Sequence, residues 1–116
     1  TDVGAGTSFS MLQTMAEAYK VMQLQSEQLT PFKAFYLATL GGAKTLDMDD
    51  LIGNFETGKE ADFIVLDKAP TRFMKFRLEH CKDLFELLFV IAMLGDDRTI
   101  KATYSAGALL HDRDQH

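Results

Sequence analysis

Basic residues and cysteine are scarce in this 116-residue chain, and each shortage narrows the kinds of protein it can be. Lysine and arginine number 12 against 17 aspartate and glutamate, which gives a formal net charge of −5. Because the basic residues are spread along the chain, we expect neither nucleic acid nor an anionic membrane as a partner. The single cysteine, Cys81, cannot form an internal disulfide, so a reducing cytoplasm is the expected location.

Long apolar runs are also missing. The most apolar stretch, residues 84–94, reads LFELLFVIAML and includes Glu86. A helix that spans a bilayer needs about 20 apolar residues, so this stretch predicts a buried or interfacial helix instead. The first residues show no basic segment followed by an apolar one, so we expect no signal peptide. Apolar residues make up 47% of the chain, which is typical of a globular domain.

Helix signals dominate the first half of the chain. Residues 8–24 repeat apolar side chains at a helical period, with Ser8 or Ser10 as the N-cap. A second helix is predicted to begin at Thr30-Pro31, where threonine caps the helix and proline takes its first position. We expect that helix to reach Gly41-Gly42, where the glycines permit a break before a short helix or turn.

The second half contains one further clear helix and one ambiguous segment. Residues 82–94 predict a helix that is capped by Asp83 and ended by Gly95. Residues 69–80 have no decisive pattern, and a short helix is one interpretation of them. The chain shows no internal repeat and no low-complexity segment, so these helices are expected to belong to one packed unit.

Strand signals are confined to the rest of the second half. A strand-like run around Asn54–Gly58 is followed by DFIVLD at residues 62–67, with a turn between them. Because DFIVL, residues 62–66, is nearly all apolar, we expect this strand to be buried on both faces. Residues 99–111 predict a hairpin with its turn at Ala106-Gly107. The polar tail, residues 112–116, is expected to fray.

Asp2 is the first candidate for chemistry. The opening TDVGAG places a carboxylate before a glycine-rich turn, as at the end of a strand that faces a pocket. Such a carboxylate suits a divalent cation, or a base that acts on a bound water. The alternative is that Asp2 only stabilises a turn, which is a common role for aspartate before glycine. The residues alone leave both interpretations open.

The other metal-type residues are not spaced as a site. His80, His111 and His116 show no zinc-site spacing with Cys81, so we expect structural or surface histidines and a small buried cysteine. The acidic run DMDD at residues 47–50 lacks the ligand number and the central glycine of a calcium loop. It therefore predicts a solvated turn.

Three stretches together resemble a known family. They are TDVGAGTSFSML at residues 1–12, FYLATLGGAKTLDMDDLIGNFETGKEADFIVLD at residues 35–67 and LGDDRTIKATYSAGALL at residues 94–110. In combination they resemble the C-terminal third of the guanine deaminases, a branch of the metal-dependent amidohydrolase superfamily. The pattern from Gly53 to Phe63 is shared widely across that superfamily, whereas the first and last stretches point to the guanine deaminase branch.

The resemblance implies an α/β fold. The chain would be the C-terminal fragment of a (β/α)8 barrel amidohydrolase, with the end of the last strand, the eighth helix and further helices, plus the C-terminal strands of a small β-sandwich. By the same resemblance, residues 1–50 belong to the barrel, and residues 51–70 and 96–116 belong to the sandwich. Residues 71–95 would be a helical insertion that packs on the barrel or at an interface.

The resemblance also implies a chemistry. Asp2 matches an aspartate that binds the catalytic zinc and helps to activate water, which hydrolyses guanine to xanthine and ammonia. The other zinc ligands and the substrate-binding residues would lie upstream of Thr1. We therefore expect this chain alone to bind zinc weakly, to be inactive, and to form a homo-oligomer through apolar faces left uncovered.

Two other functions remain open at this point. One is a sister amidohydrolase that acts on another amino- or chloro-heterocycle, because the substrate-contacting residues are expected upstream. The other is a non-catalytic oligomerising module.

Overall fold

The computed structural model describes residues 1–2 and 4–115 of the chain. None of the helices in this described part is long and apolar enough to cross a membrane. The elements in chain order are α1 (Met11–Leu24), α2 (Pro31–Leu37), α3 (Leu40–Thr45), β1 (Phe63–Leu66), α4 (Arg72–Leu78), α5 (Leu84–Leu94), a 3-10 turn (Asp97–Thr99), β2 (Ile100–Ser105) and β3 (Ala108–Asp112).

Polar side chains fix where four of the helices begin. Ser10, Thr30, Thr71 and Asp83 cap α1, α2, α4 and α5 in turn. Each side-chain oxygen accepts a hydrogen bond from the backbone N–H three residues further on, at 2.9 to 3.4 Å. A cap of this kind contributes about 1 kcal/mol, because it satisfies a donor that the helix leaves unpaired. The predicted caps at Ser10, Thr30 and Asp83 are confirmed.

Helix α5 lies at the centre of the helical layer, and α1, α2 and α4 all pack against it. It runs from Leu84 to Leu94, which confirms the helix predicted over 82–94 except for its first two positions, and its residues Val90 and Ile91 are buried. Gly95 ends it where a Cβ atom would clash with the backbone carbonyl oxygen of Ile91 and lie 2.8 Å from a methyl group of Leu12, so only glycine fits this close approach. The buried core cluster comprises Leu12, Met15, Leu29, Ala34, Met74, Ile91 and Ala92.

The three strands form one antiparallel sheet in the order β1-β2-β3. Val65 of β1 lies opposite Ala102 of β2. The turn between β2 and β3 has φ of +48° at Ala106 and +77° at Gly107. Positive φ at both central residues is what a type I′ hairpin turn requires, and glycine adopts it without strain. The predicted hairpin and its turn are confirmed.

The polar tail after this hairpin is tied to the sheet rather than frayed. Strand β3 extends through Asp112. The guanidinium of Arg113 donates to a carboxylate oxygen of Asp67 at 3.1 Å and to the carbonyl of Arg98. The expectation of fraying is therefore wrong for these two residues, because two elements distant in sequence hold the arginine. His116 lies outside the described residues.

The strand expected around Asn54–Gly58 is wrong, since these residues form bends and a turn. The side-chain oxygen of Asn54 accepts a hydrogen bond from the backbone N–H of Glu56 at 3.2 Å. Gly58 has a φ of +100°, in the left-handed region. Both features favour a turn over an extended strand.

The break between α2 and α3 also differs from the expectation. It falls at Ala38-Thr39, and Gly41-Gly42 lie inside α3. The hydroxyl of Thr39 donates to the carbonyl of Phe35 at 2.7 Å. This bond satisfies a carbonyl at the end of α2, while Thr39 itself adopts non-helical backbone angles.

Strand β1 is more exposed than its sequence predicts. Ile64 and Val65 are 49% and 39% exposed, so the expected burial on both faces is wrong for this chain. Among the described strands β1 lies at the edge and pairs with β2, and the described elements leave the side chains of Ile64 and Val65, on its two faces, incompletely covered. An apolar run indicates that a strand is suited to burial. Whether it is buried depends on other residues that cover its faces.

Core packing predicts that alanine substitutions at two neighbouring residues of α4 lower the free energy of unfolding by different amounts. Met74 is 2% exposed and Phe73 is 59% exposed. We expect Met74→Ala to lower the free energy of unfolding by about 2–5 kcal/mol, because it leaves a cavity beside α5. The matched variant Phe73→Ala should change it by less than about 1 kcal/mol. Urea unfolding followed by far-UV circular dichroism would measure both, and equal losses would contradict this packing.

The bond between Arg113 of the tail and Asp67, the residue after β1, predicts that the free energy of unfolding depends on pH. Hydrogen bonds from the backbone N–H of Ala69 and from Arg113 hold the pKa of Asp67 below its usual value. A lowered pKa in the folded chain means that the charged carboxylate stabilises it above about pH 4, and that this contribution is lost as the pH falls through the lowered value. We expect Asp67→Asn to lower the free energy of unfolding by about 1 kcal/mol or less at neutral pH. The difference from the wild type should become smaller in acid.

Unfolding of both proteins across this pH range would test the prediction. Arg113→Met should reproduce only part of the same pH-dependent loss, since it removes one partner of Asp67 while the hydrogen bond from the backbone N–H of Ala69 remains. A difference between wild type and Asp67→Asn that persists unchanged in strong acid would count against this assignment.

Candidate functional site

Asp2 lies in a tight turn at the start of the described chain. Its φ is +55°, and its carbonyl accepts hydrogen bonds from the backbone N–H groups of Ala5 and Gly6. The side chain is exposed, and no hydrogen bond from the described residues engages its carboxylate. Residues 1–2 are not in a strand, and Val3 lies outside the described residues. The backbone of Asp2 thus makes the turn, while the carboxylate is available to a metal ion or a water.

The described residues do not group into a metal centre. Among residues 1–2 and 4–115, no three histidine, cysteine, aspartate or glutamate side chains are grouped so that they could hold a metal ion. Catalytic zinc takes about three protein ligands and a water. A zinc centre that included Asp2 would therefore need further ligands besides the described residues.

The histidines and the cysteine take structural positions. Ring atom Nδ1 of His80 lies 2.9 Å from the carbonyl oxygen of Phe76, and His111 is exposed on β3. This confirms the prediction of surface histidines for these two residues. Cys81 is only half-buried, and its thiol donates to the carbonyl of Arg77. The expectation of a buried cysteine is wrong because Cys81 lies in the loop after α4, away from the helical core.

An apolar groove of about 1010 Å³ separates the start of α1 from the sheet. Its walls include Leu12 of α1, Phe35 of α2 and the stacked rings of Phe63 and Tyr104, whose centroids lie 4.5 Å apart. Asp2 is not among the residues that line this groove. The groove can therefore accept apolar surface, but it does not bring the candidate carboxylate together with a binding cavity.

Asp96 is one of three aspartates that line this groove, with Asp62 and Asp97, and its role is not predicted by the sequence pattern. Its carboxylate accepts a hydrogen bond of 2.6 Å from the guanidinium of Arg98, which holds the pKa of Asp96 below its usual value. Its backbone N–H donates to the hydroxyl of the fully buried Thr99 at 3.1 Å. Asp96 and Thr99 thus form a capping box. Threonine stands here in the position where the sequence signature of a capping box has glutamate or glutamine, so that signature does not reveal it.

Comparison with known proteins places the chain in a class. The model of the amidohydrolase family matches residues 1–110. This match covers nearly the whole sequence, so the chain belongs to the amidohydrolase family.

Within that family, the chain is similar to guanine deaminases. It is 56% identical to the guanine deaminase of Escherichia coli (strain K12) over 113 residues, which is 97% of this chain and 26% of that protein. The solved structure of the E. coli guanine deaminase superposes with a TM-score of 0.95 at 55% identity, over 98% of this chain and 27% of the other. The guanine deaminase from Bradyrhizobium japonicum superposes with a TM-score of 0.84 at 33% identity, over 97% and 30%.

These comparisons confirm the resemblance seen in the sequence. The chain spans about a quarter of the length of the curated relatives it matches. Its helices and its three-stranded sheet therefore have close counterparts within a much longer protein.

The isolated position of Asp2 predicts weak metal binding. We expect the 116-residue chain to bind Zn²⁺ without a tight stoichiometric site, because one carboxylate supplies too few ligands. Isothermal titration of the chain with Zn²⁺ would measure this, with Asp2→Ala as the comparison. A tight site with one zinc per chain that disappears in Asp2→Ala would contradict the prediction.

Proposed function

We propose that this chain is part of a zinc-dependent guanine deaminase, an enzyme that hydrolyses guanine to xanthine and ammonia. The observation that carries the proposal is the close match to the E. coli guanine deaminase, at 56% identity and a TM-score of 0.95 over nearly the whole chain. Backbone similarity at that level supports the same role for the corresponding region of a longer enzyme.

The proposal assigns parts of the chain to the architecture of such an enzyme. Residues 1–50 would belong to the end of a (β/α)8 barrel, and residues 51–70 and 96–116 to a small β-sandwich. Residues 71–95 would be a helical insertion between the two sandwich segments. Support comes from the sheet, in which β1 pairs with β2 although α4 and α5 intervene in sequence.

Asp2 is proposed as the residue that this chain contributes to the zinc centre. Its exposed carboxylate, which no described residue engages, supports this role. Zinc in such an enzyme would supply an activated water. The remaining ligands and the groups that contact guanine would come from outside these 116 residues, so the chain alone is proposed to be inactive.

A chimera tests this proposal. The matching quarter of the E. coli guanine deaminase would be replaced by this chain, and xanthine formation from guanine would be followed by absorbance. We expect an active chimera, because the two backbones are nearly superposable over this region. Asp2→Ala in the chimera should lower kcat/KM by more than about a hundredfold, since even the outer partners of metal ligands affect activity by 10–100-fold.

Glu17→Gln provides the matched control for the loss of a carboxylate. Glu17 lies on the exposed side of α1 and pairs with Lys20 at 2.8 Å, far in sequence from the candidate ligand. This variant of the chimera should keep its activity and its zinc content. A folded chimera that forms no xanthine, or an Asp2→Ala chimera with full activity and zinc, would overturn the proposal.

A further inference from the structure

Gly6 lies in the turn that holds Asp2, at a point where the chain has no room for a side chain. A Cβ atom added to Gly6 would overlap with the backbone carbonyl oxygen of Thr1 and lie 2.9 Å from that of Asp2. Because both neighbours are backbone atoms, they cannot give way as a flexible side chain could. Residues 1–2 can therefore keep their path across residue 6 only while that residue is glycine.

Two hydrogen bonds close the same turn. The carbonyl of Asp2 accepts the backbone N–H of Ala5 at 3.1 Å and that of Gly6 at 2.5 Å. The φ of +55° at Asp2 lies in the left-handed region, which residues other than glycine seldom adopt. Such a conformation persists where the surrounding structure enforces it. Here Ala5 and Gly6 enforce it, because they hold the carbonyl of Asp2.

A fixed backbone at Asp2 also fixes the direction in which its side chain leaves the chain. Only the side-chain torsions then remain to be set, and each of them has a few preferred values. A functional carboxylate has to be held within about 0.5 Å of its productive position. The closed turn therefore supplies much of the order that a ligand at this position needs.

The turn is joined to helix α1 through Ser8. The hydroxyl of Ser8 donates to the side-chain oxygen of Gln13 and accepts the backbone N–H of Ser10 at 2.9 Å. Ser10 in turn caps α1, which packs against α5. Only Thr7 separates the closed turn from this anchored segment. The position of Asp2 is therefore set relative to the helical layer as well as within its own turn.

We propose that Gly6 is a positioning residue for Asp2. Because residue 6 carries no side chain, residues 1–2 fold back across it, and this path fixes the direction in which the carboxylate of Asp2 points. Gly6 itself would touch neither a metal ion nor a substrate, so it acts only through the backbone of Asp2. The inference rests on the proposed function, in which Asp2 is a zinc ligand, and it adds a residue that has no side chain to contribute.

Gly58 provides a matched control, because it requires glycine for a different reason. Its φ is +100°, yet a Cβ atom added to it would have no heavy atom within 4 Å. Gly58→Ala therefore strains the backbone without crowding it. The residue lies in the turn before β1, far in sequence from Asp2. This variant should lower folding stability without any change in the turn that holds Asp2.

The zinc Kd of the chimera with the E. coli guanine deaminase, measured by competition with a chromogenic chelator, tests the role of Gly6. We expect Gly6→Ala to raise this Kd by at least about tenfold and to lower kcat/KM, since loss of the groups that orient metal ligands weakens binding or activity by about 10–100-fold. Gly58→Ala should lower the midpoint of thermal unfolding and leave the zinc Kd unchanged.

Ser8→Ala gives a second variant that adds no atom to the turn. It removes both hydrogen bonds of the Ser8 hydroxyl, so it loosens the turn from α1 without crowding it. We expect a smaller rise in the zinc Kd than for Gly6→Ala. If Gly6→Ala fails to fold, this variant decides, and an unchanged zinc Kd in Ser8→Ala would then overturn the proposal.

Hydrogen exchange in the 116-residue chain tests the turn without zinc or activity. The N–H of Ala5 should exchange at least about tenfold faster in Gly6→Ala than in the wild type, because its hydrogen bond to the carbonyl of Asp2 is lost. A wild-type chimera without zinc would overturn the proposed function and the role of Gly6 together. A chimera whose zinc depends on Asp2 but whose zinc Kd is unchanged in Gly6→Ala, or unchanged exchange at Ala5, would overturn the role of Gly6 alone.

Discussion

The packing of α1, α2 and α4 on α5 is the contact on which the rest of this structure depends. Helix α5 carries a single charged residue, Glu86, so nearly every face of it can be buried. Its last turn leads through Gly95 and the Asp96 capping box into β2. The helical layer therefore positions the hairpin, and through β2 it positions β1 as well. A change in the position of α5 relative to the other helices would therefore shift the sheet as well.

Much of this arrangement could be predicted because its causes are local. A serine, threonine or aspartate that caps a helix acts on a backbone N–H three residues away, so the pattern is visible in the sequence. The same is true of the hairpin, where two adjacent residues with positive φ set the turn. The order of the tail could not be predicted, because Arg113 binds Asp67, which lies 46 positions away in the sequence. No local pattern connects these two residues.

Other features could not be predicted because they depend on groups that no local sequence pattern connects with them. Strand β1 is apolar enough for burial on both faces, yet Ile64 and Val65 remain exposed at the sheet edge. Asp2 shows the same limit for the candidate site. Its residue type and its glycine-rich turn allow metal binding, but coordination depends on several groups that converge in space. The resemblance to guanine deaminases is what singles out Asp2, and its role as a ligand remains a prediction.

The distribution of charge shows why net charge alone is an incomplete guide to binding. A total of −5 and the absence of a long basic run argue against a nucleic-acid surface, which needs an extended positive stripe. The same total conceals a segment of opposite sign over residues 68–82, because the acidic residues of regions such as 46–51 outweigh it in the sum. Opposite charges within one chain either pair internally or remain available to another molecule. Arg77 and Lys82 make no ion pair with any described residue and lie beside the rings of Phe85 and Phe89, so the sum of charges does not describe this part of the surface.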